Sequence, residues 1–372
     1  MTRKYHPDNE RMKRKYFIFL KEAKRHDDSS VDAVAKAISR FEVYTKWRDF
    51  KAFHFEQAVG FKAHLNKYRN EQTGSHLSKA TMNSTLRSLK TFFQWLAMQA
   101  GYKSRINYTD TEYFNLSEKD ARVATAKRNR PVPTLEQIRR VITVMPSNTV
   151  LEQRNRALVA FTLLTGARDS AIASFKLKHV DLTAGSVFQD AREVNTKASK
   201  TFTTYFFPVG HDIRKIVEDW VHYLKNELLF GNDDPLFPKT EVKPGARRVF
   251  ETVGVLKEHW SNATPIRKIF KDAFEQAGLP YFNPHSFRKT LVLLGETTCR
   301  GPEEFKAWSQ NLGHEGVLTT FYSYGEVQQS RQCEILTALR EPRAENQTNQ
   351  IDADAIAKAV AREMRAQSLS EL

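Results

Sequence analysis

Pro131 and Pro133 come straight after the basic run Lys127-Arg128-Asn129-Arg130, and Thr134-Leu135-Glu136-Gln137 comes straight after them. Proline has no backbone N–H and drives the residue before it out of helical geometry, so no helix runs through this point. Thr134 and Gln137 have the spacing of a capping box, which satisfies the open amides at a helix start. A helix therefore begins anew at 134, and the chain is predicted to fold as two bodies. Residues 1–116 form the first, and 117–133, opened by Ser117-Glu118-Lys119-Asp120, are a basic linker. Residues 134–340 form the second, and 341–372 are a tail. With 372 residues, 40% of them apolar and 25 of them Phe, there is enough chain for two separate cores.

Charge follows the same division. The net charge is +15; residues 1–130 hold 27 Lys/Arg against 14 Asp/Glu, whereas residues 131–372 hold 31 against 29. A positive field confined to the first third fits a polyanion, bound by neutralising phosphates and releasing their counterions. A merely soluble surface of solvated lysines gives the same totals. Cys299 and Cys333 lack metal-ligand spacing and read as reduced thiols of a cytoplasmic protein. The stretch Met1 to Pro7 is polar, without a signal-peptide core, and no run approaches the roughly 18 apolar residues that a membrane span needs.

Hydrophobic spacing makes the first body all-helical. Arg11 to Arg25 is basic with an apolar patch at Tyr16, Phe17, Phe19 and Leu20. Ser30 is placed to cap a helix through Val31, Val34, Ile38 and Phe41, and Phe53 to Tyr68 is a further helix. Ser78 caps the clearest one, with Met82, Leu86, Leu89, Phe93 and Leu96 on one stripe. Arg87 and Lys90 lie on its polar side and, with Lys127, Arg128 and Arg130 of the linker, are the candidate DNA-backbone contacts; a solvated face is the plain alternative.

The second body mixes helix and strand. Helices are predicted at 134–145, 151–165 (ended by Gly166), 211–229 and 264–277, and another opens at His285. Ser186-Val187-Phe188 and Thr201 to Val209 flank the polar turn Asn195 to Lys200 and read as a small antiparallel sheet. Gly231 to Pro235 and Lys243-Pro244-Gly245 read as loops. In the tail, Asp352 to Gln367 is a short amphipathic helix carrying Ile356, Val360 and Met364, able to dock on a neighbouring protomer or on its own domain.

The remaining signal is chemical. Arg168 stands in Leu164-Thr165-Gly166-Ala167-Arg168. Asn283-Pro284-His285-Ser286-Phe287-Arg288, Asn311-Leu312-Gly313-His314 and Phe321-Tyr322-Ser323-Tyr324-Gly325 then follow one another within 43 residues. A phosphodiester repels nucleophiles through its anionic oxygens and leaves as a poor alkoxide. Arg168 and Arg288 are suited to clamp the non-bridging oxygens, since a guanidinium keeps its charge and donates in a fork. His285 and His314 can move protons near neutral pH or donate to phosphate, and a tyrosine can hold the phosphoryl group covalently. Each piece has an ordinary structural use; the ordered set within a basic two-body chain is what points to phosphodiester transfer.

This set resembles the tyrosine recombinase, or phage integrase, family. The resemblance implies a mainly helical fold with a small antiparallel sheet: a helical core-binding domain over about residues 11 to 115 and a mixed catalytic domain over about 130 to 335. It implies Arg168 as the first catalytic arginine, His285 and Arg288 as the second box and His314 as the third. A general-acid lysine in the hairpin turn is also implied, with Lys197 first and Lys200 as alternative. The family spacing puts the nucleophile nine residues after His314, where Ser323 stands. Tyr324, beside the freely turning Gly325, is preferred and Tyr322 is the alternative. The family's acidic residue three places after the first arginine is Ala171 here, with Asp169 nearby. The implied partners are double-stranded DNA at specific sites and three further copies of the chain in a tetramer, the unbound protein being a monomer or weak dimer. No metal, ATP or other cofactor and no membrane are implied, and the protein is expected in the cytoplasm on the nucleoid. A topoisomerase of type IB and a non-catalytic DNA-binding protein are the competing readings.

Overall fold

Ser78 accepts a hydrogen bond from the Thr81 amide (3.1 Å), and the helix it starts, Lys79–Ala97, buries Met82, Leu86, Leu89, Phe93 and Leu96 on one stripe. Such burial of a periodic apolar face is what stabilises a helix of this length in water. The structure is a computed structural model that describes residues 5–69, 74–126, 131–244 and 250–314. Tyr322, Tyr324, Lys127, Arg128, Arg130, Cys333 and the tail helix lie outside the described residues. The chain divides into two compact units, Met1–Arg128 and Asn129–Leu372.

The first unit is helical: α1 (Pro7–Ile18, continued by a π-helical turn to Ala23), α2 (Asp28–Tyr44), α3 (Phe55–Lys67), α4 (Lys79–Ala97) and α5 (Glu118–Thr125). Its core is an aromatic stack in which Phe41 meets Phe61, Phe93 and Phe114 edge-on at 5.2–5.8 Å. Two expectations are corrected. Asp27, not Ser30, caps α2, because its carboxylate accepts the Ser30 amide at 2.7 Å. The first half of the expected linker is also helical, as α5: Ser117 caps it through the Asp120 amide, and Lys79 pairs with Asp120 at 3.1 Å.

The second unit begins with α6 (Leu135–Val144), opened by the capping box of Thr134 and Gln137, and α7 (Val150–Thr165). Then come α8 (Asp169–Ile172), β1 (Val180–Asp181), β2 (Ser186–Gln189), β3 (Phe202–Tyr205), α9 (His211–Asn226), β4 (Lys239–Pro244), β5 (Phe250–Leu256), α10 (Thr264–Gln276), α11 (Pro284–Thr298) and α12 (Pro302–Asn311). Strands β1-β2-β3 form an antiparallel sheet, with Val187 opposite Thr204. The second sheet, β4 with β5, is a further correction: Lys243 and Pro244 are strand residues paired with Glu251 and Phe250, not loop. Arg154 anchors this hairpin. Buried in α7, it donates to Pro238 O and the Thr240 hydroxyl at 2.9 Å each. The core of the unit packs α7, with Leu158, Phe161 and Leu164, against Val217 and Trp220 of α9 and Phe287 and Leu291 of α11. Among the described residues no helix is long and apolar enough to cross a membrane.

Candidate active site

The site is built around the end of α7. Gly166 takes up left-handed geometry (φ 61°), turning the chain so that Arg168 becomes the N-cap of α8. The turn is also tight from outside: a Cβ at 166 would lie 2.8 Å from Leu312 and 3.0 Å from Leu291. Gly166→Ala is therefore expected to cost about 2–4 kcal/mol, combining a left-handed backbone penalty of about 1 with overpacking of about 1–3. Urea unfolding of the full chain measures this, and a loss under about 0.5 kcal/mol would show that the site relaxes freely.

Arg288 joins three distant segments. Its Nη1 donates to Gly166 O (2.6 Å), and its Nη2 donates to Leu312 O (2.5 Å) and to His314 Nε2 (3.2 Å). Asn283 places it, capping α11 through the Ser286 amide, and Thr290 holds the same helix to Pro133 O at 2.6 Å. The guanidinium is only 5% exposed; burial and the nearby Arg168 charge push its pKa down to about 9. Arg168 is half-buried and its pKa is lowered by burial. Among the described residues neither guanidinium has a carboxylate partner. Two cations held together without counter-charge form a site for an anion.

Both histidines are pushed towards the neutral form in this field. A guanidinium only donates, so His314 Nε2 is an acceptor and the ring proton sits on Nδ1. Burial, followed by the charges of Arg288, Arg168, His285 and Lys200, pushes His314 down to about 4. His285 is lowered in the same way, by loss of hydration and then by Arg288, Arg168 and Lys289, with Asp169 opposing.

The Leu-Gly-His turn is fixed against β3. Asn311 Oδ1 accepts the Tyr205 amide (2.6 Å), its Nδ2 donates to Tyr205 O (2.8 Å), and the Thr204 hydroxyl donates to Asn311 O (3.1 Å). Gly313 is left-handed (φ 69°), with the Phe202 ring 2.6 Å from where a Cβ would stand. Asn311 and Phe202 were not foreseen as site residues. Asn311 was visible only as the residue before Leu-Gly-His, and nothing in the sequence marked Phe202.

The structure thus brings Arg168, His285, Arg288 and His314 together. It separates the two lysines: Lys197 is exposed in the short helical turn Lys197–Ser199, whereas the Lys200 charge reaches His314. Asp169 supports neither arginine of the pair; its carboxylate accepts from Arg267 Nε at 2.7 Å. With Ala171 where the family has an acid, Arg288 is held by the carbonyls of Gly166 and Leu312. In the first unit Arg87 is exposed, but the Lys90 ammonium is bound to Glu112 (2.7 Å) and Asn115 (3.2 Å), tying α4 to the segment Tyr108–Phe114.

A model of the phage integrase family matches residues 132–329, just over half of the chain and the whole of this site. The chain belongs to that family. The integrase-family chain is 23% identical over 309 residues to the tyrosine recombinase XerC of Halalkalibacterium halodurans, covering 82% of this chain and 89% of that one. Its fold is similar to that of a lambda integrase dimer bound to a COC′ core site (TM-score 0.55, 13% identity, 92% of this chain and 99% of that one). It is also similar to the XerH site-specific recombinase bound to palindromic difH substrate (TM-score 0.54, 19% identity, 86% and 83%). At these identities the structural likeness speaks for the fold, a two-domain, mainly helical one.

Proposed function

We propose that this integrase-family protein is a site-specific DNA recombinase that cuts and rejoins strands through a 3′-phosphotyrosine. The observation that carries the reading is the junction at Arg288, which gathers two guanidiniums, without a carboxylate partner among the described residues, and the imidazoles of His285 and His314. Arg168 and Arg288 bind the non-bridging oxygens of the scissile phosphate and gain most as negative charge builds on them. The tyrosine hydroxyl, Tyr324 in our assignment, attacks phosphorus and gives its proton to the neutral His285. The bond to the 5′ oxygen breaks, and that oxygen takes a proton from a lysine ammonium. Lys200 is half-buried and its charge bears on His314, whereas Lys197 is exposed, and this makes Lys200 our choice. The phosphotyrosine keeps the energy of the broken bond, so a 5′ hydroxyl from another strand reverses the step without ATP. The arginines supply positive charge of the kind that a metal gives in other phosphoryl-transfer sites.

The positive first unit, with Arg87 exposed, supplies affinity for duplex DNA. XerH is described on its palindromic site; for this chain we propose a tetramer on two sites that exchanges strands through a four-way junction on nucleoid DNA. Incubation with DNA spanning the flanks of its own gene, in EDTA and without ATP, is expected to yield a protein–DNA adduct that survives denaturation. Salt-sensitive binding to that DNA without an adduct would leave a DNA-binding protein and remove the enzyme.

A further inference from the structure

The loop that carries Lys197 and Lys200 is fastened at its base from two sides. On one, the Ser170 hydroxyl donates to Asn195 O (3.2 Å) and the Asn195 amide donates to Ser174 Oγ (2.9 Å), which binds the loop to α8, the helix begun by Arg168. On the other, Glu193 accepts from Lys178 Nζ (2.9 Å), Lys176 Nζ (3.3 Å) and His179 Nε2 (2.9 Å). His179 is 4% exposed, and its Nδ1 accepts the Lys176 amide at 3.0 Å, so Nε2 carries the proton that Glu193 receives. Both lysines also reach Asp233, at 3.5 and 2.8 Å. The Ala191 amide donates to the Thr201 hydroxyl (3.0 Å) and closes the loop on itself. Past this base Ala198 (φ 56°) and Ser199 (φ 50°) are both left-handed without being glycine. A chain held in two such uncommon conformations depends on its surroundings to stay there.

Solvent-facing ion pairs contribute little to stability one by one. A buried imidazole and two ammonium groups converging on one carboxylate at the root of a functional loop have another use. We propose that Glu193 is a positioning residue for strand cleavage: held by His179, Lys176 and Lys178, it fixes the base of the loop from which the general-acid lysine reaches the leaving oxygen. The proposal rests on the cleavage chemistry set out above and does not depend on which of the two lysines donates the proton.

A change of leaving atom tests it. In cleavage the tyrosine O–P bond forms, the P–O5′ bond breaks and O5′ takes the lysine proton. With sulfur in place of O5′ the thiolate leaves without needing that proton, because thiols ionise near pH 8.5 (about six or more units below an alcohol). Full-length wild type, Glu193→Ala, Glu193→Gln, Lys200→Ala and Lys197→Ala are compared in single-turnover cleavage of DNA with either atom at the phosphate that the wild type cuts. Glu193→Ala is expected to slow cleavage of the oxygen linkage by about 10- to 100-fold and that of the sulfur linkage by less than about threefold, with Glu193→Gln between it and wild type. Equal slowing on both linkages, or none on the oxygen linkage, overturns the proposal while leaving the enzyme reading intact. No adduct from the wild type on either linkage overturns the enzyme reading and this proposal with it.

Discussion

Arg288→Lys is expected to slow strand cleavage by about 10²–10³-fold and to lower stability by about 1–3 kcal/mol, although it keeps the charge. Arg288 makes two short bonds, to Gly166 O and Leu312 O, and a third to His314, so one planar fork holds the end of α7 and the Leu-Gly-His turn in fixed relation. Lysine is a point charge on a flexible stem and reaches one of those acceptors at a time. A buried carbonyl is left without a donor, and the two segments joined by Arg288 lose their common reference. Binding to the same DNA is expected to stay within about threefold of wild type, since affinity is spread over many phosphate contacts. Single-turnover cleavage, filter binding and urea unfolding separate these effects. Cleavage within about tenfold of wild type would mean that charge suffices and the fork is incidental.

Tyr324→Phe is expected to remove the covalent adduct, a loss of about 10⁴-fold or more, while Tyr322→Phe retains it. Without the phenolic oxygen there is nothing to attack phosphorus, and no neighbouring group forms a phosphotyrosine in its stead. The choice between the two rests on sequence: Phe321 and Tyr322 continue an apolar run, whereas Tyr324 precedes Gly325. Denaturing gels of trapped adducts decide it. Loss in Tyr322→Phe alone would move the nucleophile and keep the mechanism; retention in both variants would remove both assignments.

The parts of this molecule that were legible in its sequence are those in which side chains speak for themselves. The Ser78 cap and its apolar stripe, the capping box at Thr134 and the Gly166 stop are local patterns, and each holds in the structure. The helix cap at 27 was misplaced by three residues because aspartate and serine cap equally well and two serines follow Asp27. The β4–β5 hairpin was missed because its strands are mostly exposed, so no apolar alternation marks them, and Pro244 closes a strand where proline usually reads as loop. In the site, arginines and histidines announced themselves, but their support did not. Arg288 is held by backbone carbonyls, which every residue has, and between Lys197 and Lys200 the chain turns through the left-handed Ala198 and Ser199, which no residue preference foretells.

Asn311 has a consequence beyond the placing of His314. Strand β3 is an outer strand of its sheet among the described residues, and such a border displays open amides and carbonyls that invite another chain to add itself. Asn311 occupies both groups of Tyr205 with one side-chain amide, standing in for a fourth strand that is a single residue long. On the function proposed above, the same amide serves both the alignment of His314 and the closing of a sheet border, so its loss is expected to lower turnover and soluble yield together.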